Sequence, residues 1–174
     1  MTEGPSLDTK SSLLMMLRSV LERRSALYAA GPLTSGRRFY EGDRYDRAVE
    51  LRKQNDSALA EFVRQLRAKR SEPVLDPGPL RVAGWTGEHY GSFFLEVIDE
   101  FAKELHLLDG WEFSRGATKE FIFCVNIGIP AFAASGAVLD SQAGKRLVQR
   151  AVGQLDELGV DPDHLRRRLE QFGD

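Results

Sequence analysis

Short apolar runs that end in glycine, proline or aspartate alternate along this chain with longer segments of helical periodicity. A short apolar run closed by turn residues is typical of a buried strand. Apolar residues that recur every three or four positions predict helices over residues 43–69 and 90–101. Strands that alternate with helices predict right-handed crossovers and a parallel sheet, and therefore an α/β fold. The predicted strands are residues 26–30, 73–77, 105–108 and 129–134.

The remaining segments complete a single predicted domain over residues 1–174, a length and composition that suffice for one core. Residues 1–24 form a polar tail and a first helix that ends near Arg23. A mostly apolar helix is predicted over residues 117–127. Ser141 is expected to cap the next helix, and Pro162 to start the last one.

Charge balance excludes several classes of partner. The 24 Lys and Arg residues are matched by 26 Asp and Glu residues, so the basic surface expected of a nucleic-acid or membrane-surface binder is missing. The longest apolar run near the N-terminus, residues 13–17, is too short for a signal peptide or a membrane span. We therefore expect a cytoplasmic protein whose partner is a small molecule or another subunit.

Cofactor and metal motifs are also missing from the sequence. Cys124 is the single cysteine, and the three histidines lie far apart, so neither a disulfide framework nor a metal site is predicted. Gly144 and Lys145 lack the rest of a phosphate loop, and there is no dinucleotide fingerprint. Cys124 and His106 are interpreted as buried apolar and strand residues, and residues 166–168 as a solvated helix face.

The segment DGWEFSRGATKE, residues 109–120, combines a glycine loop, a helix N-terminus and a carboxylate. Backbone N–H groups at a helix start suit an anion such as phosphate, with Ser114 and Arg115 as further donors. Alternatively, Ser114 simply caps the helix. Glu120, on the first or second turn beside apolar residues, is either a perturbed catalytic carboxylate or a solvated residue that complements the helix dipole.

Four segments, in order, resemble the nucleoside 2-deoxyribosyltransferase-like superfamily. LYAAGPLTSG, residues 27–36, resembles its opening strand and loop, and GWEFSRGATKE, residues 110–120, resembles its catalytic segment. Residues 66–77 are similar to its helix-to-second-strand step, and residues 128–130 to its step after the catalytic helix. The likeness spans roughly residues 25–135.

The resemblance implies roles for individual residues. Glu120 takes the role of the nucleophile that attacks the anomeric carbon of the sugar, and Tyr28 lies near both the sugar and the nucleophile. Trp111 either stacks on the nucleobase or packs at the rim against the loop of residues 78–87. The predicted substrate-binding residues, at strand exits or in the loop before the catalytic helix, are Gly31, Pro32, Asp76, Trp111, Ser114, Arg115 and Gly116.

Two positions depart from the pattern of sugar-transferring members. Six residues before the nucleophile those members carry aspartate, whereas monophosphate-hydrolysing members carry serine, as Ser114 here. A helical aspartate near the third strand is replaced by Lys103, which counts against activity. Glu96 or Asp99 could substitute for it, or Asp109 could assist at the base as a further catalytic residue.

The resemblance therefore implies a flavodoxin-like, Rossmann-like three-layer sandwich with a parallel sheet of four to five strands. The predicted function is N-glycosidase activity on nucleoside or deoxynucleoside 5′-monophosphates, without a cofactor. One alternative is a base-exchanging 2-deoxyribosyltransferase, and another is a nucleotide-binding or sensing module without turnover. A homodimer or higher homo-oligomer is implied, and Leu13, Met16, Leu17 and Val20 on the first helix form an apolar stripe suited to its interface.

Overall fold

A five-stranded sheet runs through the computed structural model, which describes residues 7–40 and 47–172. The first four strands pair in parallel, and the spatial order of the five is 2-1-3-4-5. This order, with helices on both faces, is consistent with a flavodoxin-like sandwich. The strands are β1 (Ala26–Ala30), β2 (Val74–Leu75), β3 (Ala102–Leu107), β4 (Ala131–Ala133) and β5 (Val138–Leu139).

Helices connect the strands and cover both faces of the sheet. The α/β class predicted from the alternation of elements is thereby confirmed. The helices are α1 (Leu7–Val20), α2 (Arg37–Tyr40), α3 (Ala48–Lys69), α4 (Gly87–Phe101), α5 (Arg115–Asn126), α6 (Ser141–Glu157) and α7 (Asp163–Leu169). Residues 43–46 of the predicted helix 43–69, and residues 1–6 of the predicted tail, lie outside the described residues.

The two faces of β1 have different partners because successive side chains of a strand point to opposite sides. Leu27 and Ala29 pack on one face against Leu59 and Val63 of α3. Tyr28, on the other face, belongs to the larger core that α4, α5 and α6 cover. All five residues of β1 are buried, as expected of a central strand. This burial places the Tyr28 ring beneath the helices that carry the candidate site.

The structure corrects the predicted start of the third strand. β3 begins at Ala102, three residues before the predicted 105, and includes two charged residues. Lys103 donates to Glu72 at 2.7 Å and Arg70 pairs with Glu104 at 2.9 Å. Because these charges are neutralised where the parallel strands begin, they are compatible with a strand that an apolar pattern alone does not detect.

The other end of the sheet and the start of α6 also differ from the prediction. β5 pairs with β4 in the antiparallel direction, since a tight turn with Gly136 at a φ of 86° reverses the chain. The prediction of a parallel sheet was therefore wrong for this edge strand. Asp140, not Ser141, caps α6, and its side chain accepts a hydrogen bond of 2.7 Å from the Ala143 N–H.

The apolar stripe of α1 is only partly available to a second subunit. Leu13 and Leu17 pack against the core, whereas Met15, Met16 and Val20 are exposed. The homodimer stays a prediction, which light scattering at micromolar concentration can check.

Candidate active site

Tyr28 and Glu120 meet where α5 passes over β1. The Tyr28 hydroxyl donates a hydrogen bond of 2.9 Å to Oε1 of Glu120. Tyr28 is buried in β1, and Glu120 lies on the second turn of α5, six residues after the helix cap Ser114. The sequence prediction that these two residues share a site is therefore consistent with their geometry.

The position of Glu120 depends on where α5 begins. Ser114 has extended backbone, and its side chain accepts a hydrogen bond of 3.3 Å from the Ala117 N–H. The Ser114 carbonyl also accepts one of 2.7 Å from the Thr118 hydroxyl. Ser114 is only 3% exposed, so of its two predicted roles the helix cap is the one that its contacts support.

Burial changes the acidity of both partners. Removal from water raises the pKa of Glu120 to about 7, against the hydrogen bond from Tyr28 and the charge of Lys119, which both favour the carboxylate. The pKa of Tyr28 is raised well above its usual value by burial and by the neighbouring Glu120. Tyr28 thus remains a proton donor at neutral pH, while Glu120 is divided between its acid and carboxylate forms.

Asp76 lies just after β2 and lines the same cavity as Tyr28. Its Oδ1 accepts a hydrogen bond of 2.9 Å from the Gly78 N–H, which fixes the turn that follows the strand. The charge of Asp76 contributes to the raised pKa of Tyr28. Two carboxyl groups therefore act on the tyrosine, that of Asp76 from the exit of β2 and that of Glu120 from α5.

The loop after β1 approaches the start of α5 closely. The Arg115 N–H donates to Ser35 Oγ at 3.0 Å, which ties the loop to the first turn of the helix. A Cβ on Gly31 would lie 3.0 Å from Leu108 Cβ, so a larger residue would separate the ends of β1 and β3. Pro32 is buried beside it. Gly31 and Pro32 thus shape the loop, and their contact with substrate stays a prediction.

The first turn of α5 is open to solvent, since Arg115 and Gly116 are both exposed. A Cβ on Gly116 would meet no atom within 4 Å. Two basic residues of α7 that no sequence pattern indicated, His164 and Arg168, lie near Arg115. Burial and the charge of Arg115 lower the pKa of both His164 and Arg168. The lowered pKa of His164 leaves its ring neutral at pH 7, so the positive charge here comes from Arg115 and Arg168. Because helix starts also favour anions, this position is suited to one.

These contacts correct the interpretation of residues 166–168 as a solvated face. Arg166 and Arg167 are exposed and pair with Asp156 and Asp163, whereas Arg168 is half-buried. The single signal in the sequence was helical periodicity, since Arg168 follows His164 by four positions and shares its side of α7.

Trp111 has neither of its predicted positions. It is 3% exposed, and its ring lies 4.6 Å from that of Phe121 in the core. A short 3-10 turn over Trp111–Phe113 directs the indole inward instead of over the cleft.

Asp109 is exposed on the preceding turn and contributes to the raised pKa of Glu112. Its predicted assistance at the base stays a prediction without a supporting contact.

The acidic substitutes considered for Lys103 do not meet the candidate site. Lys103 is the second residue of β3 and pairs with Glu72 on the side of the sheet opposite the strand exits. Glu96 is exposed and pairs with Lys10, and Asp99 is exposed and pairs with Arg24 at 3.2 Å. Within the described residues, Asp76 is a further carboxyl group whose charge acts on Tyr28.

Within residues 7–40 and 47–172, the structure contains no cluster of three or more acidic, histidine or cysteine side chains that could hold a metal ion. In the same part of the chain, no helix combines the length and apolar character needed to cross a membrane. No protein-family model matches this chain, and no curated protein or solved structure matches it.

Proposed function

We propose that this protein is an N-glycosidase that hydrolyses nucleoside or deoxynucleoside 5′-monophosphates through Glu120. The observation that carries the proposal is the hydrogen bond from Tyr28 to a half-buried glutamate whose pKa is raised to about 7. A strongly perturbed carboxyl beside a specific partner is typical of catalytic sites. The resemblance of residues 110–120 to the catalytic segment of the deoxyribosyltransferase-like superfamily gives the reaction class.

The proposed reaction has two steps. The Glu120 carboxylate attacks the anomeric carbon as the bond from that carbon to the base nitrogen breaks, and the bonding electrons leave with the base, which takes up a proton. Water then attacks the same carbon and gives up a proton to Asp76, which balances the proton that the base took up, and Glu120 leaves as a carboxylate as the sugar phosphate is released. Tyr28 holds the attacking carboxylate in place throughout. Asp76, beside Tyr28, is the proposed second carboxyl group for proton transfer.

The preference for a 5′-phosphate rests on the first turn of α5. Arg115 is exposed there, a Cβ on Gly116 would meet open space, and Arg168 adds positive charge. An anion at this position would gain both the helix dipole and charge-assisted hydrogen bonds. Since Ser114 caps the helix, direct contact with the phosphate is assigned to Arg115 and the Gly116 backbone.

A panel of nucleosides and their 5′-monophosphates, scored for released base, tests the proposal. Base release that prefers monophosphates and leaves free sugar phosphate supports hydrolysis. Incubation with a second free base separates hydrolysis from exchange, because a transferase would form the new nucleoside. Binding of monophosphates without release of base would contradict the proposal and favour a nucleotide-sensing module.

A further inference from the structure

An apolar cavity of about 180 Å³ lies between α1, α4 and the exit of β2. Tyr28 forms part of its lining, so the cavity adjoins the hydrogen bond between Tyr28 and Glu120. Asp76 is the one carboxylate among its lining residues. Three of these residues belong to α1, which precedes the first strand of the sheet: Leu13, Met16 and Leu17.

The chemistry of the walls restricts what can occupy this cavity. An apolar cavity of about 150 Å³ in another protein binds benzene, so the present one has room for an aromatic ring. Sugar hydroxyl or phosphate groups would lose their hydrogen bonds to water against such walls. The aromatic rings of Phe93 and Phe94 provide faces and edges for ring contacts, and Asp76 can accept a hydrogen bond from a ring N–H.

The outer wall is held in place by polar contacts with α4 at both ends of α1. Lys10 near its start donates to Ser92 at 2.8 Å and also pairs with Glu96. Arg18 near its end makes two hydrogen bonds to Glu100, at 2.7 and 2.8 Å. Exposed ion pairs of this kind add little stability but fix orientation. Leu14 is buried between them and anchors the helix in the core.

We propose that this cavity takes a heteroaromatic ring, the base released by the reaction, and that α1 forms its outer wall and selects the ring. The proposal rests on the proposed function for the identity of the ring. The base would lie beside Asp76 and Tyr28, and the phosphate would lie at the start of α5. The sugar then spans the two positions, with its anomeric carbon at Glu120.

Met15 and Met16 offer a matched pair of variants, since both are 65% exposed while Met16 alone of the two lines the cavity. Met16→Trp should fill the mouth of the cavity, and Met15→Trp should leave it open. Leu80→Trp on the opposite wall repeats the test with a partly exposed loop residue. Circular dichroism confirms that each variant is folded before binding is measured.

The probes are free adenine, cytosine and uracil, with benzimidazole as a ring that lacks exocyclic polar groups. Their dissociation constants are measured by NMR titration, which does not depend on turnover. We expect Met16→Trp and Leu80→Trp to weaken binding of the preferred ring about tenfold or more, with Met15→Trp nearly unchanged. Equal effects of Met15→Trp and Met16→Trp, or no binding of any ring, would overturn the proposal even if the enzyme releases base. Ring binding that depends on Met16 supports it even if no base is released.

Discussion

The Tyr28 hydroxyl and Glu120 Oε1 are 2.9 Å apart, although 92 positions separate the two residues in the chain. The hydrogen bond favours the carboxylate form of Glu120, whereas burial favours its neutral form. Because burial is the larger effect, the pKa of Glu120 is about 7. The hydroxyl of Tyr28 thus limits how far the pKa of the candidate nucleophile rises.

Tyr28→Phe removes this donor and should raise the pKa of Glu120 further. A hydrogen bond to a charged group contributes about 1.5–3 kcal/mol, so we expect an increase of about one to two pH units. Titration of the labelled glutamate carboxyl carbon by NMR measures it directly. Tyr90→Phe is the control, since the Tyr90 hydroxyl bonds to the backbone of Val82 instead. An unchanged or lower pKa in Tyr28→Phe would contradict the assigned role.

Glu120→Gln should stabilise the fold at high pH. The pKa of Glu120 is raised in the folded protein, so its contribution to stability is complete below the unfolded value near 4.5 and is lost as pH rises through about 7. Glutamine has no proton to lose, so the variant should gain on the order of 2–3 kcal/mol over wild type above pH 8 and little near pH 4.5. Urea unfolding at the two pH values measures the difference.

Glu61 provides a control of opposite sign for that experiment. Its pKa is lowered to about 2, mainly by hydrogen bonds from Arg64 and Gln65. The charged form is therefore the favoured one, and Glu61→Gln should not stabilise the protein at high pH. A gain for Glu120→Gln that is the same at both pH values would show that burial of charge is not its cause.

Two glycines of α6 should respond to alanine with opposite signs. A Cβ on Gly144 would lie 2.0 Å from Cε1 of the fully buried Phe121, so Gly144→Ala forces the ring to move and should destabilise the fold by about 1–3 kcal/mol. Gly153 is exposed with no atom within 4 Å of such a Cβ, and Gly153→Ala should stabilise it by about 0.5–1 kcal/mol. Thermal unfolding of the pair tests this; equal effects would refute the predicted packing of α5 on α6.

Arg115→Gln should reduce kcat/KM for nucleoside 5′-monophosphates by about tenfold to a hundredfold, the value of one charge-assisted hydrogen bond. Activity on the unphosphorylated nucleosides should change little, because the lost contact is to the phosphate. Arg167→Gln, a nearby exposed arginine paired with Asp163, is the matched control. If Arg115→Gln slows both substrates equally, the first turn of α5 is not the phosphate site.

Much of the fold could be predicted from apolar periodicity. The strand at 26–30 and the helices around 48–69 and 87–101 follow patterns that burial imposes on the sequence, and Cys124 is buried as predicted. β3 was only partly predicted, because its first residues are charged and are neutralised by Arg70 and Glu72, which are distant in sequence. β5 is two residues long, too short to produce a period.

The candidate site was predictable where local sequence determines it. Ser114 and Glu120 belong to one helix start, so their spacing fixes their geometry. The prediction for Trp111 was wrong because the direction of a loop side chain depends on its tertiary partner, which here is Phe121. The positions of His164 and Arg168 on α7 and of the wall formed by α1 depend on how distant helices dock, and no local pattern encodes that.

Glu120 is proposed to form the covalent bond to the sugar, and the rate of base release by wild type and Glu120→Gln tests this role most directly. Glutamine keeps the size of the side chain and can still accept the Tyr28 hydrogen bond, but it is not an effective nucleophile. We predict that wild type releases base from at least one nucleoside 5′-monophosphate. Folded Glu120→Gln should release base at less than about 1% of that rate, which corresponds to an activation barrier higher by roughly 2.7 kcal/mol or more. Release by Glu120→Gln at a rate close to wild type would contradict the account.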